Sequence, residues 1–202
     1  AIKGGQNAPD VMLEHARLVR SIHGAKETEP LLQSLTKLDP ENAKALSELA
    51  EVQKELGKQQ EASLHAFRAL KVEPTLKGLS SLLGTLKRAD GQLDQAVYYY
   101  SEAIRQYPDD LEAYVALGET YVERRENQKA LHIFEQAMEI APEDSRLFYQ
   151  AGVILRDQKD YIGAEDMMRR ASELDPGNVN IRRQLGAIVA LNLIHNPRGV
   201  KS

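Results

Sequence analysis

The sequence has no cysteine and no tryptophan among its 202 residues, and aromatic residues make up only 5%. Because Cys is absent, the chain can form no disulfide bond, no thiolate nucleophile and no Cys-based zinc site. The longest apolar run, from Leu185 to Leu191, is far shorter than the roughly 18 residues that a membrane span needs. No apolar stretch of the kind found in a signal peptide follows the first residues. We therefore expect a soluble protein of the cytoplasm or an organelle interior, with no membrane span in this chain.

A basic excess is missing as well. The chain has 26 Lys and Arg against 30 Asp and Glu, for a formal net charge of −4. Proteins that bind nucleic acids or acidic membranes usually carry a clear positive excess, so neither class is expected. Hydrophobic residues at 42% and charged residues at 28% are typical of a folded protein.

Signatures of catalysis are also absent. No two of the five histidines stand three or four residues apart, so no helical pair of metal ligands is present. The sequence contains none of the nucleotide-binding, zinc-protease or serine-hydrolase motifs GxxxxGK[ST], GxGxxG, HExxH and GxSxG. We expect no catalytic residue, no metal and no cofactor, and therefore a protein that is not an enzyme.

What the sequence does contain is an internal repeat. Prolines recur every 34 residues, at Pro40, Pro74, Pro108, Pro142 and Pro176. If each proline is counted as position 32 of a repeat, position 8 holds the small residues Ala50, Gly84, Gly118, Gly152 and Gly186. Alanine fills positions 20 and 27, at Ala62, Ala96, Ala130 and Ala164, and at Ala69, Ala103, Ala137 and Ala171. Four columns with one period indicate a repeat architecture.

The columns predict pairs of closely packed helices. Glycine inside a helix costs about 1 kcal/mol relative to alanine, so its recurrence at position 8 indicates that a second helix approaches the backbone there. Proline at position 32 ends the second helix, because it lacks an N–H group and disfavours helix in the preceding residue. Good N-caps for the next helix follow at Asn42, Asp110, Asp144 and Asn178. Leu76 takes that place in the third repeat, which predicts a weaker helix over residues 77–90.

This pattern resembles the tetratricopeptide repeat (TPR), over residues 9 to about 194. The resemblance is strongest in the fourth repeat, which has Tyr114, Leu117, Gly118, Tyr121, Ala130, Phe134, Ala137 and Pro142 at the family's positions. It is weakest in the first, where His15 and Thr28 replace the usual Leu and Ala. It implies an all-α fold: a right-handed α-solenoid of five helix-turn-helix repeats with a C-terminal capping helix. The expected boundaries are repeats at 9–42, 43–76, 77–110, 111–144 and 145–178, a capping helix at 179–194, and flexible segments at 1–8 and 195–202.

The resemblance also implies a protein-binding groove. Stacked repeats form an extended concave face, and in the family the first helix of each repeat lines it. Positions 2, 5, 9 and 12 share one helical stripe beside the core stripe, and in the last repeats this stripe gives an apolar floor flanked by charges. The predicted partner-binding residues are Arg88, Val115, Glu119, Val122, Arg146, Tyr149, Val153, Arg156 and Arg183. The alternative is that the cations pair within their own helices, for about 0.2–0.5 kcal/mol each.

The capping helix predicts a second contact surface. A terminal helix should turn a polar face outward, because no further repeat covers it. Three apolar residues instead fall outside the stripes assigned to the core and the groove: Ile188, Leu191 and Ile194. Because exposed apolar patches often mark interaction sites, we predict weak homodimerisation through them. The alternative is that Pro197 and the last residues fold over this patch.

The sequence leaves more than one function open. The leading hypothesis is a scaffold or adaptor that binds a peptide or segment of a partner protein in the groove, during complex assembly. The alternative is a regulatory or docking domain of a larger enzyme or membrane-anchored protein, which the missing initiator Met favours. An RNA-binding helical solenoid would need a basic, aromatic-bearing groove, of which only part is present. The Lys, Asn, Asn, Lys, Arg clamp with which some TPR proteins hold chaperone tails is absent from every frame of three repeats.

Overall fold

The structure, a computed structural model, describes residues 8–196, and within that range the chain forms eleven α-helices and no strand. The all-helical class predicted from the sequence is therefore confirmed. The chain divides into two compact units at the junction of Tyr107 and Pro108, which we call unit 1 and unit 2. Across the described residues, no helix is both long and apolar enough to cross a membrane.

Each unit is a series of helix pairs. Unit 1 contains α1 (Ala8–His23), α2 (Ala25–Leu38), α3 (Ala43–Glu55), α4 (Gln59–Val72), α5 (Leu79–Ala89) and α6 (Leu93–Gln106). Unit 2 contains α7 (Leu111–Glu123), α8 (Asn127–Ile140), α9 (Ser145–Asp157), α10 (Tyr161–Leu174) and α11 (Val179–His195). An odd-numbered first helix packs against the even-numbered second helix that follows it, and α11 packs against α10.

The glycines at position 8 lie where two helices touch. A Cβ atom on Gly84 would lie 2.7 Å from the ring of Tyr100, and one on Gly118 would lie 2.6 Å from the ring of Phe134. A Cβ atom on Gly152 would lie 3.0 Å from the side chain of Met168. The close approach predicted from the glycine column is confirmed, and in each case the large side chain belongs to the second helix of the same repeat.

Side-chain caps begin the first helices where the sequence predicts them. Asn42 accepts a hydrogen bond from the backbone N–H of Ala45, and Asp110 accepts one from Ala113. Asp144 and Asn178 cap α9 and α11 in the same way. By contrast, α5 starts after Gly78, which has φ of 82° and makes no side-chain cap.

The prediction that Ile188 is uncovered is wrong. Ile188 is fully buried and packs with Ala164 and Met168 of α10. The reason is that position 10 of a first helix faces the second helix of the preceding repeat. Position 8 faces the second helix of its own repeat, and no such helix follows α11 among the described residues. Of the other two predicted self-association residues, Leu191 is half-buried and Ile194 is 71% exposed. Homodimerisation through this helix stays a prediction.

Candidate functional site

The first-helix face of unit 1 is lined by charged side chains that pair with one another. Arg17 of α1 donates from Nε to Glu48 Oε1 of α3 at 2.6 Å. Arg20 of α1 donates to Glu51 Oε2 at 3.1 Å and also contacts Glu55, both on α3. Both arginines of α1 therefore form ion pairs with α3, the next first helix along the chain. The alternative considered from the sequence, pairing only within one helix, does not describe them.

Unit 2 has a cleft on its first helices α7, α9 and α11 that is lined by fewer charged side chains than the corresponding face of unit 1. The cavity has a volume of about 250 Å³. Four of the predicted partner-binding residues line it: Val115, Glu119, Arg146 and Tyr149. Eight further residues complete the lining: Phe134, Ser145, Leu147, Gln150, Asp175, Asn178, Asn180 and Ile181.

A short polar network holds the aromatic side of this cleft. Asn180 donates from Nδ2 to the hydroxyl oxygen of Tyr149 at 3.0 Å, and Arg183 donates to Asn180 Oδ1 at 2.9 Å. Gln150 Nε2 lies 3.5 Å from Glu119 Oε1. Tyr149 and two side-chain amides, Gln150 and Asn180, thus line the same cleft, and each amide carries both donor and acceptor groups.

Arg146 stands at the rim of the cleft and is engaged by two carboxylates. It donates to Asp144 Oδ2 at 2.7 Å and to Glu112 Oε1 at 2.8 Å. The hydrogen bond to Asp144, followed by the one to Glu112, raises the pKa of Arg146 above its ordinary value. The same bond lowers the pKa of Asp144. Arg146 is therefore a fixed positive charge, and most of its N–H donors are already used in hydrogen bonds to Asp144 and Glu112.

The other predicted residues of unit 2 lie outside the cavity lining. Val122 is 39% exposed on α7, and Val153 packs beside the cluster that buries Ile188. Arg156 donates to Gln184 Oε1 of α11 at 2.9 Å and to Asp157 Oδ1. Arg88 lies on α5 of unit 1 and takes no part in the unit 2 cleft.

Sequence reasoning did not select Gln150 and Asn180 as site residues. Asn180 lies at position 2, on the same stripe as Arg146, so the stripe itself was the signal that could have found it. Gln150 lies at position 6, outside the stripe of positions 2, 5, 9 and 12. Its place in the lining shows that the cleft is wider than one helical stripe.

Comparison with protein families supplies the deciding observation. Residues 87–150 match a family model described as tetratricopeptide repeat, and residues 145–178 match a second model with the same description. Residues 87–178 of the chain are tetratricopeptide repeats. TPR proteins are scaffolds for protein–protein interaction in general, and this TPR chain has that architecture.

Two curated relatives show how far the similarity of this TPR chain extends. Anaphase-promoting complex subunit 3 of Schizosaccharomyces pombe is 32% identical over 108 residues, which are 54% of this chain and 16% of that protein. Hsp70-Hsp90 organizing protein 3 of Arabidopsis thaliana is 25% identical over 166 residues, which are 80% of this chain and 28% of that protein. The chain thus spans less than a third of either relative.

A solved structure has the same fold as this TPR chain. The crystal structure of YrrB, described as a TPR protein with an unusual peptide-binding site, aligns with a TM-score of 0.74 at 21% sequence identity. The alignment covers 90% of this chain and 94% of YrrB. At this identity the likeness concerns the fold alone, and it confirms the helical repeat solenoid predicted from the sequence.

Proposed function

We propose that this TPR protein is a non-catalytic scaffold that binds an extended segment of a partner protein in the unit 2 cleft. The observation that carries the proposal is a cavity of about 250 Å³ lined by Tyr149, Gln150 and Asn180, in which Asn180 donates to the Tyr149 hydroxyl. Sites for small molecules are usually larger, about 300–1,000 Å³. The cavity therefore suits one large apolar side chain of a peptide better than a cofactor.

The amides favour a peptide backbone as the ligand. A peptide unit offers one N–H donor and one C=O acceptor, and an Asn or Gln side chain can satisfy both. Extended segments that bind to a folded surface draw affinity from such main-chain hydrogen bonds and specificity from pockets for individual side chains. Gln150 and Asn180 supply the former, and the cavity with Val115 and Tyr149 supplies the latter.

Charge would set the orientation of the segment. Glu119 lies on the α7 side of the cleft, whereas Arg156 and Arg183 lie on α9 and α11. Charges of opposite sign on two sides fix the register of a bound segment more than they add affinity. We therefore expect a segment with a basic residue near α7 and an acidic residue near α11, on either side of its apolar anchor.

The proposal is tested by selecting a peptide and then removing its anchor site. A library of random twelve-residue peptides is panned against the full chain, and the affinity of an enriched peptide is measured by calorimetry. Tyr149→Ala should weaken binding about tenfold or more, because an aromatic contact at the centre of an interface carries a large share of the energy. Arg156→Glu should weaken it further, with unchanged helicity by circular dichroism.

The matched control is Tyr98→Ala, which removes a tyrosine that is 60% exposed on α6 of unit 1. It should leave the affinity of the selected peptide unchanged. Tyr149→Phe keeps the ring but removes the hydroxyl that accepts from Asn180, and it should cost only a few-fold. Wild-type affinity in a folded Tyr149→Ala, Arg156→Glu double variant would exclude this cleft as the binding site.

A further inference from the structure

The outward face of α11 lacks the partner that every earlier glycine-bearing first helix has. In unit 2, Gly118 and Gly152 each receive a large side chain from the second helix of their repeat. Gly186 occupies the same position in α11, but among the described residues nothing lies within 4 Å of where its Cβ would be. The stripe through this position consists of Arg182, Gly186, Val189 and Leu193.

The described chain does not turn back to cover this stripe. In four earlier repeats position 15 has positive φ and ends the first helix, at Gly57, Gly91, Arg125 and Lys159. Leu193 stands at that position in α11 and keeps the helical conformation. The helix continues through it to His195 and reaches 17 residues, against 13 in α9. Leu193 is left 51% exposed.

We infer that this face binds a helix of a partner protein, in the position that a second helix takes in the earlier repeats. The repeats themselves define the shape of such a helix. In α8 the side chain that fills the glycine site is Phe134, with Ala130 four residues before it and Ala137 three residues after it. A docking helix needs the same order: a small residue, a large one four residues later, and a small one three residues after that.

Charge specifies the docking helix further. Arg182 lies on this stripe at position 4 of the repeat, where the earlier first helices of unit 2 have Tyr114 and Phe148. Its side chain is exposed and forms no hydrogen bond or ion pair with any residue in the described part of the chain. An arginine on the edge of an apolar contact favours a carboxylate opposite it. We therefore assign to this face an acidic amphipathic helix.

A second copy of this chain fits the face less well. The sequence of α11 has no Asp or Glu, so pairing two such faces would leave both copies of Arg182 without a carboxylate. The charge pattern therefore favours a different protein.

The probe for this site is a peptide with the sequence of α8, residues 127–140, which carries Phe134 between its two alanines. It is labelled with fluorescein and stabilised by a side-chain staple on its polar face, because isolated helices of this length are marginal in water. Binding to the full chain is followed by fluorescence anisotropy. We expect saturable binding, at least tenfold weaker for the same peptide with Phe134→Ala.

Variants of the protein then locate the peptide. Gly186→Leu fills the open site, so it should weaken binding at least tenfold. It should not lower the unfolding midpoint, because the position is uncovered and leucine forms helix better than glycine. Arg182→Glu should weaken binding several-fold at low salt, and the effect should shrink at high salt. Tyr149→Ala should change nothing, which separates this site from the proposed cleft.

Two results would overturn the inference. One is the absence of saturable binding, or equal binding by the wild type and a folded Gly186→Leu variant. The other is a wild-type dimer in sedimentation velocity that Gly186→Leu converts to monomer, because the face would then belong to a second copy of this chain.

Discussion

In unit 1 the arginines of α1 reach carboxylates on α3, whereas in unit 2 Arg156 and Arg183 reach amides of α11. Arg17 and Arg20 have three glutamates opposite them on α3. Arg183 donates to the neutral Asn180, and Arg156 donates to the neutral Gln184 as well as to its neighbour Asp157. The same stripe of a repeated helix thus satisfies its charges inside the protein in one unit and leaves unbalanced charge in the other.

The difference shows which face has charged groups that can still bind a partner. A cation already bonded to a carboxylate must break that bond before it binds a ligand, so it contributes little net affinity. Arg183 donates to a neutral amide, so its charge can still attract an acidic group. Repeat position alone therefore does not define a binding site, and the partner of each charged group decides its role.

The largest effect that would sharpen this comparison is a double charge reversal in unit 1. Arg17→Glu with Arg20→Glu places two new carboxylates beside Glu48, Glu51 and Glu55. Exposed pairs are each worth about 0.2–1 kcal/mol, and repulsion costs a similar amount, so we expect a loss of about 2 kcal/mol in the free energy of unfolding. Urea denaturation measures it, and added salt should restore part of the loss.

The matched control for that reversal is Arg156→Glu with Arg183→Glu in unit 2. It should cost less than about 1 kcal/mol, because amides can donate to the new carboxylates. Equal losses in the two double variants would break the comparison, since the ion pairs of unit 1 would then contribute no special stability.

A second, smaller effect separates the buried carboxylate of Glu29 from the half-buried carboxylate of Glu165 by their pH dependence. Glu29 of unit 1 accepts from Lys58 Nζ at 2.6 Å, and chiefly this bond lowers the pKa of Glu29 against the effect of burial. Glu165 of unit 2 accepts from Asn192 Nδ2 at 2.8 Å, and this bond and then Arg169 lower its pKa. Only Glu29 is joined to a charged group on another part of the fold.

The sign of the expected effect follows from the direction of the shift. A carboxylate whose folded pKa is lowered stabilises the fold above its unfolded pKa, about 4.3 for Glu, and loses that contribution as the pH falls through the folded value. Glu29→Gln should therefore cost about 1 kcal/mol at pH 7, and the difference from wild type should shrink below about pH 4. Glu165→Gln should cost about half as much. A difference for Glu29→Gln that is constant from pH 7 to pH 3 would contradict the assigned role of this pair.

Features that depend on the local sequence and its period could be predicted. The glycine at position 8 and the caps at Asn42 and Asp110 act within one repeat, so a column in the sequence is enough to find them. Contacts that join different repeats could not be predicted in the same way. The pairing of Arg20 with Glu51 spans 31 residues and depends on which rotamers two long side chains adopt.

The burial of Ile188 shows the same limit at the end of the chain. The buried face of a first helix includes position 10 besides positions 4, 7, 8 and 11, and it combines residues that face the preceding repeat with residues that face the helix of the same repeat. Inside the array the two sets are buried together, so they look equivalent. They separate only in α11, where the second set has no covering helix among the described residues.

The smallest predicted effect compares the starts of α5 in unit 1 and α7 in unit 2. The α7 helix begins with Asp110, whose side chain accepts from Ala113 N–H, whereas α5 begins two residues later in its repeat, after Gly78, without a side-chain cap. A missing cap costs about 1 kcal/mol. The free energy of local opening at that helix end falls by a similar amount, so its amide hydrogens exchange faster. We expect amide hydrogens of residues 79–82 to exchange several-fold faster than those of residues 113–116, as measured by mass spectrometry.

Asp110→Ala is the matched variant, because it removes the cap from α7 and should bring its first turn to the exchange rate of α5. Equal protection of the two wild-type helix starts would show that the buried side chains of α5, and not the cap, control opening at this end of the helix.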